Sequence, residues 1–170
     1  MAEYELVINY NKCTGCKICE QVCAIHNSLV ANPEKARIRI VNLKEQASVV
    51  SIPIRCMQCE EPICEAVCPT HAISTNPATG ARVVNEKKCI GCRTCVYACP
   101  FAAPTFDRSA GTTFMCNLCD GDPRCARWCP FGALQYIMSD EISIRLKKDC
   151  ANKLLDFFSL SSQQVVHKEV

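Results

Sequence analysis

Sixteen of the 17 cysteines fall into four groups whose spacing suits metal binding. Each group opens with C-x2-C and closes with C-x3-C, and a proline follows the fourth cysteine in the last three groups. We call them quartets one to four, and they contain Cys13, Cys16, Cys19 and Cys23; Cys56, Cys59, Cys64 and Cys68; Cys89, Cys92, Cys95 and Cys99; and Cys116, Cys119, Cys125 and Cys129. Because the thiolate is the metal-binding form of cysteine, this spacing predicts metal ligation by all sixteen residues.

Quartet three has the spacing of a ferredoxin-type iron–sulfur site. From Cys89 to Pro100 it follows the run C-x2-C-x2-C-x3-C-P, in which three cysteines bind one cluster and the fourth binds its neighbour. Gly91 allows the backbone to approach the cluster, and Pro100 turns the chain away after the fourth ligand. Four such quartets predict four [4Fe–4S] clusters.

Two other classes of cysteine-rich protein fit the sequence less well. A zinc site takes its ligands as two pairs and does not need the three-plus-one layout. A disulfide-stapled secreted domain requires export, whereas residues 1–10 carry two acidic residues, no basic residue and only a short apolar run. No segment is apolar for long enough to span a bilayer. We therefore predict a cytoplasmic location, unless a partner subunit carries an export signal for both chains.

Charge and motif content exclude several function classes. The formal net charge of +2 becomes about −6 once sixteen thiolates and four cluster cores are counted. No long basic block supports nucleic-acid binding, and no nucleophile, phosphate-binding or dinucleotide motif is present. The sequence therefore predicts a protein without a catalytic site of its own.

Short elements are predicted to hold the quartets. Residues 38–41 and 49–54 predict two strands of a hairpin in the longest insertion between quartets. A turn signal at residues 76–80 predicts a second hairpin that joins residues 72–73 to residues 82–84. We expect short helices after the third cysteine of each quartet.

The C-terminal part carries no quartet. Residues 147–158 predict an amphipathic helix that docks on this chain or on a partner, and a polar tail follows from residue 159. The apolar side chains of this helix are Leu154, Leu155, Phe157 and Phe158. Cys150, the one cysteine outside the quartets, is expected to be an ordinary packed thiol.

Over residues 4–137 the chain resembles the four-cluster polyferredoxin subunits of molybdenum- and tungsten-pterin oxidoreductases. Such subunits serve dimethylsulfoxide reductase, formate hydrogenlyase, tungsten aldehyde oxidoreductase and class II benzoyl-coenzyme A reductase. The most specific motif is C-x2-C-x2-P-x-C-x3-C-P, which runs from Cys56 to Pro69. Quartet one lacks a following proline, as in that family. The gap of five residues between Cys119 and Cys125 resembles that of the compact soluble branch of the family. This resemblance implies no membrane-anchor subunit.

The resemblance implies an α+β fold of two nested bacterial-ferredoxin-like halves, with short helices and hairpins around the four clusters. A single domain would span residues 1–145, and residues 146–170 would form a C-terminal extension. The outer half would comprise about residues 1–35 and 105–137, the inner half about residues 55–104, and the hairpin insertion about residues 36–54.

In that family the fourth cysteines are exchanged between quartets. Carried over to this chain, the pattern implies four ligand sets, which we call sets A to D. They are set A, Cys13, Cys16, Cys19 and Cys129; set B, Cys116, Cys119, Cys125 and Cys23; set C, Cys56, Cys59, Cys64 and Cys99; and set D, Cys89, Cys92, Cys95 and Cys68.

The function that follows is electron transfer. The resemblance implies a subunit that passes single electrons to or from a large tungsten- or molybdenum-pterin oxidoreductase subunit. The other end of the chain would meet a ferredoxin, a further electron-transfer subunit or a second copy. Two alternatives remain: a free polyferredoxin that shuttles between enzymes, and a structural or assembly protein whose clusters are not redox-active.

Overall fold

The computed structural model describes residues 4–45, 48–144, 147–148, 150–152 and 155. Within these residues, eight strands pair into four two-stranded antiparallel sheets. The strands are β1 (Tyr4–Ile8), β2 (Ile38–Glu45), β3 (Ser48–Arg55), β4 (Ile73–Thr75), β5 (Arg82–Val84), β6 (Thr105–Asp107), β7 (Thr112–Phe114) and β8 (Leu134–Met138). The α-helices with defined bounds are α1 (Ile18–Ser28), α2 (Ile63–Ala66), α3 (Thr94–Ala98) and α4 (Arg124–Arg127). Three 3-10 turns cover Tyr10–Lys12, Pro33–Lys35 and Leu118–Gly121.

The β1–β8 sheet joins the two ends of the cysteine-rich region. Leu6 pairs with Tyr136 in register, and the ring of Tyr136 lies 5.5 Å from that of Tyr4. Leu6 and Leu134 are buried, and they lie on the same face of the sheet because side chains alternate between the faces of a strand. That face is therefore turned towards the core. Since quartet one follows β1 and quartet four precedes β8, this pairing brings the first and last quartets together.

The predicted hairpin in the longest insertion is confirmed and is longer than expected. Strands β2 and β3 each have eight residues and pair from Ile38 with Arg55 to Glu45 with Ser48. Ile38 and Ile40 are buried and Arg39 is exposed, as alternation requires. The hairpin therefore turns one apolar face towards the cysteines.

The second predicted hairpin, β4–β5, is also confirmed, and the structure adds a third, β6–β7. Both use the same five-residue turn. Asn76 and Asp107 accept backbone N–H bonds through their side chains, from Ala78 at 3.0 Å and from Ser109 at 2.9 Å respectively. Each turn ends on a glycine with positive φ, Gly80 or Gly111.

The short helices begin one residue before the third cysteine of each quartet, not after it as predicted. Ile18, Ile63, Thr94 and Arg124 are their first residues. Helix α1 runs for 11 residues, whereas the others have four or five. Quartet one has no closing proline, so nothing stops α1 at its fourth cysteine.

The core consists of cysteines and small apolar residues. Ala24 and Ala81 are fully buried, and Ile38 is among the largest buried side chains. Seven cysteines are also buried: Cys19, Cys23, Cys56, Cys64, Cys95, Cys116 and Cys125. The hairpins and helices thus form a shell around sulfur.

The C-terminal part is described only in places. Residues 139–144, 147–148, 150–152 and 155 are helical, and the side chain of Leu155 is 65% exposed. The other three apolar residues of the predicted docking helix, Leu154, Phe157 and Phe158, lie outside the described residues. Among the helices that are described, none combines the length and apolar character needed to cross a membrane.

Candidate metal centres

The thiols of set A line one small cavity. Cys13, Cys16 and Cys19 come from quartet one, and Cys129 comes from quartet four. Ile40 of the β2–β3 hairpin adds an apolar wall. The β1–β8 pairing explains this meeting, because it places the end of quartet four beside the start of quartet one.

The thiols of set D line a second cavity. Cys89, Cys92 and Cys95 belong to quartet three, and Cys68 is the last cysteine of quartet two. Quartet two thus contributes its fourth cysteine to a cavity built by another quartet. The same exchange occurs in the first cavity, so two of the implied sets converge in space.

The cysteines of set B lie within electrostatic range of one another. Burial raises the pKa of Cys23 to about 11, and the nearby charges of Cys116 and Cys119 add to the rise. Burial also raises the pKa of Cys125 strongly, with Cys116, Cys23 and Cys119 contributing. The thiol of Cys23 therefore lies near the first three cysteines of quartet four.

Three cysteines of set C, Cys56, Cys64 and Cys99, are related in a similar way. Burial raises the pKa of Cys64, and Cys99 of quartet three contributes to the rise. Burial likewise raises the pKa of Cys56 to about 11, and Cys64 is one contributor. Cys59 and Gln58 both line a groove to which none of the other three cysteines of set C contributes.

All four quartets open with the same backbone bend. The residue before the second cysteine has positive φ in each: Gly15 (72°), Gln58 (54°), Gly91 (68°) and Leu118 (56°). Lys17 and Arg93, which follow the second cysteine in quartets one and three, are also left-handed and cap helices α1 and α3. This sharp reversal lets three cysteines of one short loop surround a single volume.

Quartets two, three and four also close in the same way. Two residues after the proline, the chain adopts positive φ at His71, Ala102 and Gly132. Their amides donate to the carbonyls of the fourth cysteines at 3.2, 3.1 and 3.2 Å. A buried alanine follows each turn: Ala72, Ala103 and Ala133. The turn fixes the direction of the fourth cysteine, which is the residue that the family resemblance assigns to another quartet's set.

Several sulfur atoms accept hydrogen bonds. The Cys23 Sγ atom accepts from the Arg37 amide at 3.2 Å, and the Cys68 Sγ atom accepts from the Ala72 amide at 3.3 Å. The Thr94 hydroxyl donates to Cys92 at 3.4 Å. Such donors stabilise thiolate charge and, in iron–sulfur sites, help to set the reduction potential.

The pKa values of the buried thiols indicate whether these residues suit a cationic group such as the core of an iron–sulfur cluster. Burial raises the pKa of Cys19 to about 12, with the carboxylate of Glu20 among the contributors. A buried thiolate is therefore unfavourable by itself, whereas coordination to metal deprotonates a thiol outright. The buried, converging thiols fit ligation to iron. Among the described residues, no group of three or more His, Cys, Asp or Glu side chains is placed to hold a single metal ion.

Cys150, Arg93 and Arg127 are not members of the four ligand sets. Cys150 is exposed, so the packed position expected for it is wrong. Arg93 lines the second cavity and its guanidinium lies 3.9 Å from the centre of the Phe106 ring. Arg127 pairs with Asp122 at 3.3 Å.

Three buried charged residues were not singled out by the sequence analysis. Glu20 is 2% exposed and accepts a 2.6 Å bond from the amide of Ile40, which ties α1 to β2. Arg55 and Arg82 are buried arginines that donate to backbone carbonyls near the quartets. For Arg55 alone the sequence carried a signal, because alternation in β3 places it on the same buried face as Ser51 and Pro53.

The chain matches known iron–sulfur protein families and subunits of oxidoreductases. Residues 47–139 match the family described as 4Fe-4S dicluster domain, and residues 12–73 match a second family of the same description. The polyferredoxin-like subunit of aliphatic sulfonate oxidoreductase from Pyrococcus furiosus is 40% identical over 124 residues, which cover 73% of this chain and 70% of that protein. The B subunit of anaerobic dimethyl sulfoxide reductase from Haemophilus influenzae is 34% identical over 159 residues, which cover 84% of this chain and 77% of that protein.

The comparison with solved structures gives weaker matches. The active-site complex BamBC of benzoyl coenzyme A reductase with benzoyl-CoA contains a chain that matches with a TM-score of 0.46 and 21% identity. The match covers 92% of this chain and 96% of that chain.

The backbone bend at Gly91 yields a prediction about stability. A Cβ atom at this position would meet the carbonyl oxygen of Gly111 and lie 3.2 Å from the ring of Phe106. Gly91→Ala should therefore destabilise the holoprotein by more than about 1 kcal/mol. The loss of cluster absorbance on anaerobic heating measures this as a lower midpoint.

Gly111→Ala is the matched control. Gly111 has nearly the same φ (69° against 68°), but a Cβ atom there would have open space. Its midpoint should fall less than that of Gly91→Ala, because only backbone strain is added. Equal midpoints for the two variants would show that the close approach of the quartet-three loop to Gly111 is unimportant.

Proposed function

The chain belongs to the family of 4Fe-4S dicluster domains, and we propose that it is an electron-transfer subunit with four [4Fe–4S] clusters that serves a catalytic oxidoreductase subunit. The observation that carries the proposal is the convergence of cysteines from different quartets on shared volumes, most directly in the cavities of sets A and D. When bound, each cluster supplies a one-electron carrier. We further propose that the sixteen quartet cysteines are the ligands, arranged as sets A to D.

Electrostatic interactions between thiols of different sets support a linear order A–B–C–D. Three pairs of thiols from neighbouring sets lie within electrostatic range: Cys19 with Cys125, Cys116 with Cys56, and Cys95 with Cys64. The exposed cysteines of the quartets, Cys16 and Cys92, belong to the two end sets. Electrons would therefore enter and leave through sets A and D.

Set A is the end that we propose for the catalytic partner. Trp128 and Phe131 flank Cys129 and are 60% and 51% exposed. Exposed aromatic side chains beside a redox centre favour a protein contact, where such residues are enriched. The partner proposed from the sequence is a large tungsten- or molybdenum-pterin subunit, and the named relatives are themselves subunits of oxidoreductases. Set D would remain open to a ferredoxin, another electron-transfer subunit or a second copy of the chain.

The same proposal includes two nested halves, a chain that is not itself catalytic, and a cytoplasmic location. The pairing of β1 with β8 supports the nested arrangement, since it encloses quartets two and three between quartets one and four. No membrane insertion and no nucleic-acid partner are proposed.

Metal content gives the first test of the cluster number. Four full sets should hold about 16 iron and 16 sulfide per chain. Anaerobic iron and acid-labile sulfide analysis measures both. A value near 12 would contradict four clusters and direct attention to quartet four, whose Cys119 to Cys125 gap differs from the other quartets.

Ligand exchange gives a second test. Because Cys68 lines the cavity of set D, Cys68→Ser should remove the same reduced-state EPR signal as Cys92→Ser. Cys59→Ser, in the same quartet as Cys68, should instead change a different signal. Cys150→Ser is the control and should leave every signal unchanged, since Cys150 is exposed and outside the quartets. Matching spectra for Cys68→Ser and Cys59→Ser, distinct from Cys92→Ser, would refute the exchange.

Partner binding separates the subunit from the free shuttle. The native protein should co-purify with a large pterin-containing subunit, and Trp128→Ala should weaken that complex because it removes an exposed anchor beside set A. Tyr97→Ala is a suitable control, since Tyr97 is 83% exposed and lies in quartet three. Size-exclusion chromatography of native extract measures both. Elution as an 18.8 kDa monomer that serves several enzymes at similar rates would favour the free shuttle.

A further inference from the structure

Two arginines are buried in the cysteine core without a carboxylate partner. Arg55 is 7% exposed and Arg82 is 6% exposed. Across the described ranges, neither forms an ion pair with Asp or Glu. A guanidinium stays charged in a protein, so its burial is costly unless negative charge lies close by.

Hydrogen bonds hold Arg55 but do not neutralise it. It donates from Nη1 to the carbonyl of Cys56 and from Nη2 to the carbonyl of Leu6. Its Nε atom is buried and, among the described residues, has no hydrogen-bond partner. Backbone carbonyls carry only partial charge, so the full positive charge of Arg55 remains without a counter-ion in the protein.

Arg55 sits where the two inner sets meet. It directly precedes Cys56 of set C, and Gln58, two residues after Cys56, donates to the carbonyl of Cys116 in set B at 2.8 Å. The positive charge of Arg55 acts to lower the pKa of both the Cys56 and the Cys116 thiol. Through Leu6 it is fixed to β1, which belongs to the outer part of the chain. One buried cation is thus shared by two sets that would each carry a negatively charged cluster.

We propose that Arg55 is the buried counter-ion of the clusters in sets B and C and that it raises the reduction potential of both. This inference rests on the proposed function. An oxidised cluster with four thiolates carries a net charge of about −2, and reduction adds one more negative charge. A cation fixed between two such clusters stabilises the added electron on either one and reduces the repulsion between them.

A second role competes with this one. The same side chain could serve only to anchor β1 to quartet two through its two carbonyl acceptors. The two roles differ in what they require of residue 55. A counter-ion needs positive charge, whereas an anchor needs the two-pronged shape of the guanidinium.

The test is a redox titration of the anaerobically purified holoprotein, followed by EPR, with iron analysis of each variant. Arg55→Gln removes the charge, and Arg55→Lys keeps it without the two-pronged shape. Arg108→Gln is the matched control, because it removes one positive charge from an exposed hairpin turn. We expect two of the four potentials to fall in Arg55→Gln, and all four to stay near wild type in Arg55→Lys and Arg108→Gln.

Loss of clusters would also be informative. If Arg55→Gln loses iron from two sets while Arg55→Lys retains a full complement, the requirement is for charge and the proposal stands. If both variants lose the clusters, the anchor role accounts for the result and the proposal is overturned. Unchanged potentials in a fully loaded Arg55→Gln would overturn it as well.

The wild-type titration keeps the two proposals apart. Clusters that cannot be reduced reversibly in the wild-type protein would remove electron transfer as the function, and the role of Arg55 with it. Reversible reduction in the wild type together with an unchanged Arg55→Gln would remove only the role of Arg55.

Discussion

The structure depends on the cost of burying thiolates. Seven quartet cysteines occupy the core, and burial pushes the pKa of thiols such as Cys19 and Cys56 well above the usual value. Without cations these side chains would be neutral, and they would fill the core as small apolar groups. The surrounding elements are too small to fold alone, since two-stranded sheets and helices of four or five residues are marginal in water. Folding and cluster binding are therefore one process in this kind of chain.

Cavities lined by cysteines of two quartets join loops that would otherwise be separate. A loop that kept all its ligands would be independent of its neighbours, whereas Cys68 and Cys129 reach cavities built by other quartets. Hydrogen bonds reinforce the same joints. Gln58 of quartet two donates to the carbonyl of Cys116 at 2.8 Å and accepts from the amide of Arg82 at 2.7 Å. The inner and outer parts of the chain are thus joined by polar contacts as well as by the crossed cysteines.

The sequence predicted the features that depend on short spacing. The quartets, the β2–β3 hairpin and the turn at residues 76–80 are all local patterns, and the hairpins were confirmed. The β6–β7 hairpin was missed, although Asp107 and Gly111 repeat the spacing of Asn76 and Gly80.

Features set by distant partners were beyond such reasoning. The burial of Glu20 depends on the amide of Ile40, and that of Arg55 depends on the carbonyl of Leu6, 49 positions away. The exposure of Cys150 was also mispredicted, because an isolated cysteine carries no signal of its surroundings. The helices start before the third cysteine and not after it. In α1 and α3 the start follows Lys17 and Arg93, whose left-handed backbone angles no spacing rule indicates.

The charged residues near the end sets differ in sign from the exposed ones near the inner sets. Burial determines how strongly each charge acts on its surroundings. Lys17 and Arg93 lie in the loops of sets A and D but are exposed. Water weakens their action, since at equal distance a Coulomb interaction is about fourfold weaker in bulk water than near a protein surface. The acidic residues in the loops of the inner sets, Glu60 and Asp120, are exposed as well. Arg55 alone among these five is removed from water. Its charge is therefore screened less than the charges of the four exposed residues.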